Sequence, residues 1–420
     1  MSLIFPFAAL RPVPESAPAV ASVPYDVVTT EEARALAAGN ALSFLHVSRP
    51  EIDMAPGIDP HGDGVYDQAA VNFSALRSAA PLVIEDQPSF YIYRLHMGKH
   101  VQSGVAACFS IDEYDHDLIK KHEKTRPDKE DDRTRHMLAI GAQTGPVFLT
   151  YRAQPAIDAV VARVAKGKPL FDLTAPDGIR HQVWRAPAPE NPAIVAAFGA
   201  VSSLYVADGH HRAASAARTR QTLASRGPGE HDRVMAVAFP DNQVQVLPYN
   251  RVVRDLHGLT VNEFLASLKR RLTVRDGGPA TPAMKGEVAM YLGGAWHTLT
   301  TGKPQGLPPQ GGAGGGNPTG GGSPSGLPAL DVDFLESSIL DPVLGIEDVR
   351  TDKRIEFVGG IRGTAELEEL VNSGKFAVAF SMFPVSVGDL MRVSDAGGIM
   401  PPKSTWFEPK LRDGLLSHVI

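Results

Sequence analysis

The sequence has little cysteine, little excess charge and no long apolar segment. Its single cysteine, Cys108, excludes a disulfide within the chain and a zinc site built from several thiolates. The formal net charge of -6 gives no general attraction to nucleic acid, so we expect no nucleic-acid partner. No apolar run has the length of a membrane span, and the first residues, MSLIFPFAALRP, lack the basic start of a secretory signal. These absences predict a protein without a membrane partner that works in the reducing cytoplasm.

Common nucleotide-binding and metal-binding patterns are missing as well. The chain contains neither the GxxxxGK[ST] loop of P-loop proteins nor the GxGxxG fingerprint of dinucleotide-binding domains. No pair of histidines has the spacing found in zinc metalloproteases. If the protein handles nucleotides, it must hold their phosphates with a different arrangement of residues.

The strand and helix patterns predict a mixed α/β (α+β) fold. The chain has 43% apolar residues, which is enough for a buried core. The segment 302–328, GKPQGLPPQGGAGGGNPTGGGSPSGLP, has almost nothing to bury and is predicted to be a disordered linker. We therefore predict four parts: an N-terminal α/β segment over 1–88, a core over 89–301, the linker over 302–328 and a C-terminal α/β segment over 329–420.

Local patterns predict individual elements. FYIYRLH and SGVAACFS form one hairpin, and EVAMYL and AWHTLTT form another. TTEEARALAAGN is predicted to be a helix capped by Thr30. DLIKKHEKTR is predicted to be a helix that Pro127 interrupts, and PDKEDDRTRHMLAIGA to be the next helix. The tail is predicted to continue as helix DVDFLESSIL, strand RIEFVGG, helix TAELEELVNSG with Thr364 as its cap, and strand KFAVAFSMF.

The stretch YVADGHHRAASAA contains the most informative motif, at the point where a strand pattern gives way to helix formers. Gly209 permits a backbone angle that other residues resist, and the first amides of the helix after it have no internal partner. Those amides and the planar fork of Arg212 suit phosphate, and His210 and His211 can donate further hydrogen bonds. Asp208 could hold a magnesium ion beside the phosphates or accept a proton from an attacking hydroxyl.

Two other interpretations of this motif stay open. The glycine could be a simple turn, and the adjacent histidines could belong to a capped helix end. Asp208, His210 and His211 could instead bind a metal ion, although adjacent residues seldom point to one ion.

The densest charged segment, KKHEKTRPDKEDDRTRH, supplies further candidates. Lys129, Arg133 and His136 are spaced i, i+4 and i+7, so they share one face of the predicted helix. A shared cationic face suits phosphate, although such runs are usually solvated. Glu123 and Arg126 lie just before this helix; Glu123 is a candidate base, and Arg126 could neutralise charge on a phosphoryl group.

Polar residues in loops are candidate substrate ligands. Asn250 and Arg251 follow a strand in LPYNRVV, and Lys403 follows two prolines in MPPKSTW. Arg49 in HVSRPE could bind a substrate carboxylate. Surface loops are polar by default, so a purely solvating role is the alternative for each of them.

Two resemblances extend these inferences. Asp208–Arg212 resembles the phosphate turn of the ParB/sulfiredoxin-like fold, which includes free serine kinases. The chain also resembles the prokaryotic domain-of-unknown-function family ten-fifteen, itself described as related to serine kinases, through PFAALRPVP, VPYDV, NALSFLHVSRPEID, KKHEKTRPDKEDDR, LYVADGHHRAA, LPYNRVV and MPPKSTWFEPK in this order. It departs from that family at Val23, where a proline is expected, and in the glycine-rich insertion. The resemblance implies a ParB/sulfiredoxin-like core with additional N- and C-terminal α/β elements.

Together these features predict a nucleotide-dependent phosphotransferase that acts on a small hydroxylated metabolite. ATP or ADP would be the donor, with Mg²⁺ near Asp208, and the resemblance implies free L-serine as the acceptor and O-phosphoserine as the product. Glu123 and Asp208 would be the catalytic residues, in a site where positioning and charge do most of the work. The alternatives are a metal-dependent phosphohydrolase that uses Asp208, His210 and His211, and a non-catalytic, ParB-like nucleotide-binding sensor.

Overall fold

A computed structural model of the protein describes residues 3–79, 82–300 and 330–420. The chain forms two compact units: the first contains Met1–Val244 and Pro409–Ile420, and the second contains Gln245–Glu408. The division predicted at residue 89 falls inside the first unit, and the division predicted at residue 301 falls inside the second. The predicted linker lies outside the described residues.

The first unit contains the strands and helices from β1 to β12 and from α1 to α9. Its strands are β1 (Ile4–Phe5), β2 (Leu10–Pro12), β3 (Leu82–Ile84), β4 (Tyr91–Met97), β5 (His100–Ser110), β6 (Ile119–Lys120), β7 (Ala142–Gln143), β8 (Val147–Tyr151), β9 (Phe171–Thr174), β10 (Arg180–Arg185), β11 (Leu204–Asp208) and β12 (Arg233–Pro240). Its helices are α1 (Ala17–Val20), α2 (Thr30–Ala37), α3 (Leu45–Ser48), α4 (Asp63–Ala79), α5 (Ile111–Asp115), α6 (Pro127–Ile140), α7 (Pro155–Val164), α8 (Asn191–Gly199) and α9 (His210–Leu223).

The second unit contains the next elements in the chain. Its strands are β13 (Gln245–Leu247), β14 (Tyr249–Val253), β15 (Thr273–Asp276), β16 (Glu287–Leu292), β17 (Ala295–Thr300), β18 (Ile355–Gly359), β19 (Val378–Met382) and β20 (Trp406–Glu408). Its helices are α10 (Val261–Lys269), α11 (Asp331–Leu335), α12 (Gly363–Asn372) and α13 (Val387–Asp395), and one turn of π-helix, Glu336–Leu340, follows α11. The last strand, β21 (His418–Val419), belongs to the first unit.

A large mixed sheet organises the first unit. Its strand order is β6-β11-β8-β12-β5-β4-β10-β9, with β1 paired to β5 outside this order. The β6–β11 and β8–β12 pairs are parallel, whereas the other pairs are antiparallel. Apolar side chains such as Phe109, Leu149 and Val206 on the strands pack with Phe198 and Ala213 on helices to form the main core. This packing fixes the end of β11, where the candidate site begins.

The second unit is built on an antiparallel sheet of the order β15-β17-β16-β19-β14-β18. Val252 and Ala379 of this sheet pack against Leu367 of α12 and against Phe376. Across the described ranges, no helix combines the length and the apolar character needed to cross a membrane.

The mixed α/β class predicted from the sequence is confirmed. Both predicted hairpins are present, as β4–β5 and β16–β17. The tail also alternates as predicted, with α11, β18, α12 and β19 in that order. These segments have strong periodic patterns and clear turn residues, which is why local reasoning succeeded there.

Three predictions about helices and their caps were wrong. DLIKKHEKTR is not a helix: Ile119–Lys120 form β6, and a loop leads from there to α6. Tertiary pairing with β11 decides the conformation of that segment, overriding its helix propensity. The cap of α2 is Thr29, which shares a capping box with Glu32, and α12 begins at Gly363 ahead of the predicted cap Thr364.

Candidate functional site

The strand-to-helix turn predicted from Asp-Gly-His-His-Arg is present in the first unit. β11 ends at Asp208, and α9 begins at His210. Gly209 between them has φ 92° and ψ 32°, in the left-handed region that glycine adopts without strain. The amides in the first turn of α9 have no acceptor within the helix, and the helix dipole makes this end partly positive. The turn is therefore chemically suited to an anion.

Arg212 folds back onto this turn. Its side chain is 4% exposed, and its Cζ would lie 2.9 Å from a Cβ added to Gly209. Its Nη2 donates to Asp208 Oδ2 at 3.1 Å and lies 3.7 Å from Asp26 Oδ2, and its Nη1 donates to the carbonyl of Pro146. Burial lowers the pKa of Arg212, but Asp26 and Asp208 outweigh it and the pKa is raised. Arg212 thus stabilises the turn, and its binding to phosphate stays a prediction.

Asp208 lies between two cations. Besides its hydrogen bond from Arg212, its Oδ2 lies 3.5 Å from Nζ of Lys410, a residue of the C-terminal segment. Burial raises the pKa of Asp208, whereas Lys410 and Arg212 lower it, and the net shift is downward. Asp208 is therefore a carboxylate at neutral pH.

Glu123 faces the start of α9 from the loop that follows β6. Parallel pairing of β6 with β11 carries this loop towards the turn, with Ile119 opposite Leu204. Oε2 of Glu123 lies 3.6 Å from Nδ1 of His210, which is too long for a hydrogen bond, and the Glu123 side chain is 30% exposed. Burial lowers the pKa of His210 to about 3, so this contact joins a carboxylate to a neutral imidazole. Glu123 is a partly accessible carboxylate beside the helix terminus.

Two buried histidine rings pack together beneath the turn. The ring centroids of His122 and His210 are 4.4 Å apart, and the rings are nearly perpendicular. Burial, together with the neighbouring His210, lowers the pKa of His122 to about 3. Nε2 of His210 is buried and has no hydrogen-bond partner among residues 3–79, 82–300 and 330–420. Buried polar atoms in native proteins nearly always have a partner, so this atom is a candidate contact for a ligand.

His211 and Arg126 connect the turn to the start of α6. His211 Nε2 accepts a hydrogen bond from the backbone amide of Arg126 at 3.1 Å. The guanidinium of Arg126 is 59% exposed and pairs with the exposed carboxylate of Asp128. Exposed ion pairs contribute little to stability, so a phosphate could replace Asp128 at low cost.

Two of the three residues on the predicted cationic face of α6, Arg133 and His136, contact other parts of the fold. Nε and Nη2 of Arg133 contact Asp132 at 2.8 Å, and its guanidinium lies over the ring of Tyr25. His136 is buried and contacts the carbonyl of Val47 at 2.8 Å; burial lowers its pKa to about 4, so it is neutral and Nε2 donates. Lys129 is partly exposed. The role of Lys129 and Arg133 in phosphate binding stays a prediction, and the surroundings of Arg133 favour a structural role.

Sequence reasoning missed three charged residues at this site. Asp26, Lys410 and Asp413 all have Arg212 or Asp208 as an electrostatic neighbour. Asp413 is 2% exposed; burial raises its pKa to about 7 in spite of the opposing effect of Arg212. Asp26 and Lys410 lie within VPYDV and MPPKSTWFEPK, but no local spacing distinguishes them from solvated charges.

The four candidate substrate ligands have structural partners. In the first unit, the guanidinium of Arg49 donates to Thr30 Oγ1 and contacts Glu51 Oε1, each at 2.8 Å. In the second unit, the loop predicted for Asn250 and Arg251 is wrong, because pairing with β18 and β19 places both residues within β14. Asn250 Oδ1 accepts from the amide of Met382, and buried Arg251 donates to the carbonyl of Lys403. The assignment of these residues to a substrate stays a prediction.

The Asp208 carboxylate at the turn is the candidate ligand for Mg²⁺. Over the ranges that the structure describes, no three or more His, Cys, Asp or Glu side chains are grouped to hold a metal ion. Mg²⁺ in phosphoryl-transfer sites commonly uses one or two carboxylates together with substrate phosphates. Asp208 as a ligand of an ion that arrives with a nucleotide stays a prediction, and Asp208, His210 and His211 are not grouped as a metal-binding cluster.

Comparisons with known proteins give a family and several remote structural similarities. Residues 4–332 match the family described as "Protein of unknown function (DUF1015)". Solved structures similar to the chain include a mutant free serine kinase in complex with AMP, at 14% identity and TM-score 0.37, covering 74% of this chain and 92% of that chain. A conserved hypothetical protein from Pyrococcus furiosus is similar at 15% identity and TM-score 0.35, covering 74% and 94%. SbnI with a C-terminal truncation from Staphylococcus aureus is similar at 12% identity and TM-score 0.37, covering 75% and 87%. No curated protein matches.

Proposed function

The chain belongs to the DUF1015 family of proteins of unknown function, and we propose that it is a nucleotide-dependent phosphotransferase acting on a small hydroxylated metabolite. The observation that carries this proposal is the turn at Gly209, where a helix begins in a left-handed glycine with carboxylates and cations on either side. Free L-serine is the favoured acceptor, on the sequence resemblance of Asp208–Arg212 to the phosphate turn of free serine kinases.

The start of α9 would bind the nucleotide phosphates. Backbone amides at a helix terminus bind anions through their hydrogens and through the helix dipole. Lys410 lies beside Asp208 at this turn, and the backbone amide of Arg126 contacts His211; the exposed guanidinium of Arg126 and the ammonium of Lys410 would add positive charge. Arg212, held by Asp26 and Asp208, would keep the turn in its binding conformation.

Glu123 would act as the base. In the proposed step, the hydroxyl oxygen of the acceptor bonds to the terminal phosphorus of ATP or ADP, the bond from that phosphorus to its bridging oxygen breaks, and Glu123 takes the hydroxyl proton. The partial exposure of Glu123 beside the helix terminus supports this role. General bases of this kind contribute about a hundred- to ten-thousand-fold in rate.

Asp208 is the candidate carboxylate for Mg²⁺ that accompanies the nucleotide. A bound magnesium ion would supply positive charge to the phosphates. Arg212 and Lys410 also neutralise Asp208, so the metal requirement is best measured directly by titration with EDTA and Mg²⁺.

A phosphoryl-transfer screen tests the proposal. The full chain is incubated with ATP, ADP or CTP and Mg²⁺, crossed with L-serine and other small hydroxylated acceptors, and the products are identified by ³¹P NMR and mass spectrometry. We expect O-phosphoserine from one nucleotide and L-serine, and its loss in Glu123→Gln. Nucleotide binding without turnover would favour the sensor, and phosphate release without an acceptor would favour the hydrolase.

A further inference from the structure

A small polar cavity lies behind the turn in the first unit. Its volume is ≈ 20 Å³, and its lining includes Ser48 of α3, Arg133 and His136 of α6, Arg212 of α9 and Asp413 of the C-terminal segment. A cavity can hold a water molecule when roughly 10–15 Å³ is open to it, so this one has room for a single water. A substrate molecule would not fit.

Three of the lining residues carry buried polar atoms that have no hydrogen-bond partner within the part of the chain that the structure describes. They are Oγ of Ser48, Nε of Arg212 and Oδ1 of Asp413. The three residues are 2%, 4% and 2% exposed, respectively. Buried polar groups in native proteins are nearly always paired, either with protein atoms or with ordered water. Three residues that line one cavity carry such atoms, which indicates that a further group completes their hydrogen bonds.

The chemistry of the three atoms selects the kind of group. Arg212 Nε can only donate, and the hydroxyl of Ser48 can donate or accept. Burial raises the pKa of Asp413 to about 7, so its carboxyl accepts when ionised and can donate when protonated. The occupant must therefore accept from Arg212 and be able to donate or accept elsewhere, as water does. A bare cation would be repelled by Arg133 and Arg212.

The surrounding charges also favour a neutral occupant. Asp132 pairs with Arg133, whereas Asp208 and Asp26 pair with Arg212. The remaining titratable side chains that face the cavity are neutral, because burial lowers the pKa of His136 and raises that of Tyr25. No charge of either sign is left in large excess around Asp413.

We propose that this cavity is a binding site for one ordered water molecule that joins Ser48, Arg212 and Asp413. The water links the returning C-terminal segment to the arginine that braces the Gly209 turn. It completes the hydrogen bonds of these three buried side chains. The site is independent of the phosphotransferase proposal, because it requires no nucleotide.

A crystal structure of the ligand-free protein at a resolution that shows ordered water tests the site directly. We expect one water peak in the cavity, within about 2.7–3.2 Å of at least two of the three atoms. Anomalous data distinguish the water from chloride. An empty cavity, or a chloride ion in it, would overturn the proposal.

The variant Ser48→Ala tests the site in solution. If water pairs with Ser48 Oγ, removal of the hydroxyl leaves the water short of a partner and lowers the denaturation midpoint. Ser381→Ala is the matched control, because Ser381 on β19 is also buried with an unpartnered Oγ. We expect a larger fall for Ser48→Ala than for Ser381→Ala. A fall no larger than that of the control would contradict a bound water at Ser48.

Discussion

Helices α6 and α9 pack against each other, and both carried residues that suggested a phosphate site, but their polar groups are used differently. On α6, Arg133 contacts Asp132 and His136 donates to the carbonyl of Val47. Both side chains are nearly buried, and both have their partners within the protein.

The start of α9 has polar groups that the fold leaves available. The first amides of the helix have no acceptor within it, Glu123 is partly exposed beside the helix terminus, and Nε2 of His210 has no hydrogen-bond partner among the described residues. The spacing of charges along a helix therefore does not show whether they serve the fold or a ligand. Because the α6 side chains have partners within the protein, changes there should affect stability, whereas changes around the α9 terminus should affect function.

The largest expected effect is on turnover, from Glu123→Gln. If Glu123 takes the acceptor proton, the rate should fall by about a hundred- to ten-thousand-fold while nucleotide affinity changes little. Glu130→Gln on α6 is the control, because the Glu130 carboxylate accepts a hydrogen bond from Thr125. Steady-state kinetics and calorimetric titration give both quantities. Equal rates for the two variants would remove Glu123 from the mechanism.

The next effect is on stability, from Arg133→Met. Removing one member of a buried ion pair typically costs about 3–5 kcal/mol, because the other charge stays buried. Asp132 would keep its hydrogen bonds with Tyr66 and His61, so we expect a loss of stability near the lower end of this range. Arg126→Met should stay within about 0.5 kcal/mol, since Arg126 is exposed, but should weaken nucleotide binding. Chemical denaturation measures the stabilities, and the opposite ranking would reverse the comparison.

A smaller effect is expected from Arg212→Lys. Lysine keeps the charge but cannot reach Asp26, Asp208 and the Pro146 carbonyl with one planar fork. One of these acceptors would be left unpaired in the variant, which typically lowers the free energy of unfolding by about 1–3 kcal/mol. The variant should therefore be less stable as well as less active. Full stability with reduced activity would instead identify Arg212 as a direct phosphate ligand.

The pH dependence of stability compares one buried histidine from each region. Burial lowers the pKa of His136 to about 4 and that of His210 to about 3, against an unfolded value of about 6.5. Below pH 6.5 the unfolded chain therefore binds protons that the folded chain does not. The free energy of unfolding should fall as the pH drops towards 4, by up to about 1.4 kcal/mol per pH unit for each histidine. Denaturation of His136→Gln and His210→Gln across this range should show a shallower slope than the parent protein.

Local sequence patterns predicted much of the fold. The hairpin β4–β5, the helix that begins at Pro127 and the strand-to-helix turn at Gly209 each follow from residues within a few positions of one another. The segment of β6 was mispredicted because its conformation depends on pairing with β11, far away in the sequence. Local propensity carries no information about such a partner.

The candidate site was predictable only in part, for the same reason. Asp208 and His210 were found because they lie in one motif. Asp26 and Asp413 reach Arg212 from the two ends of the chain, and nothing in their neighbouring residues indicates it. The burial of Arg133 was equally hidden, since its partners include the carbonyl of Ser48.

Calorimetric titration measures whether the Gly209 turn binds nucleotide phosphate. ADP with Mg²⁺ is titrated into the parent protein and into the variants Gly209→Ala and Gly141→Ala. Both glycines have positive φ, so alanine should cost about 1–2 kcal/mol of stability at either position. Only at Gly209 would the new Cβ also press on Arg212, at 2.9 Å; at Gly141 it meets nothing within 4 Å. We predict that the parent and Gly141→Ala bind ADP alike and that Gly209→Ala binds at least about tenfold more weakly, a loss of about 1.4 kcal/mol. Equal affinity of the two variants, or no binding by the parent, would contradict phosphate binding at this turn.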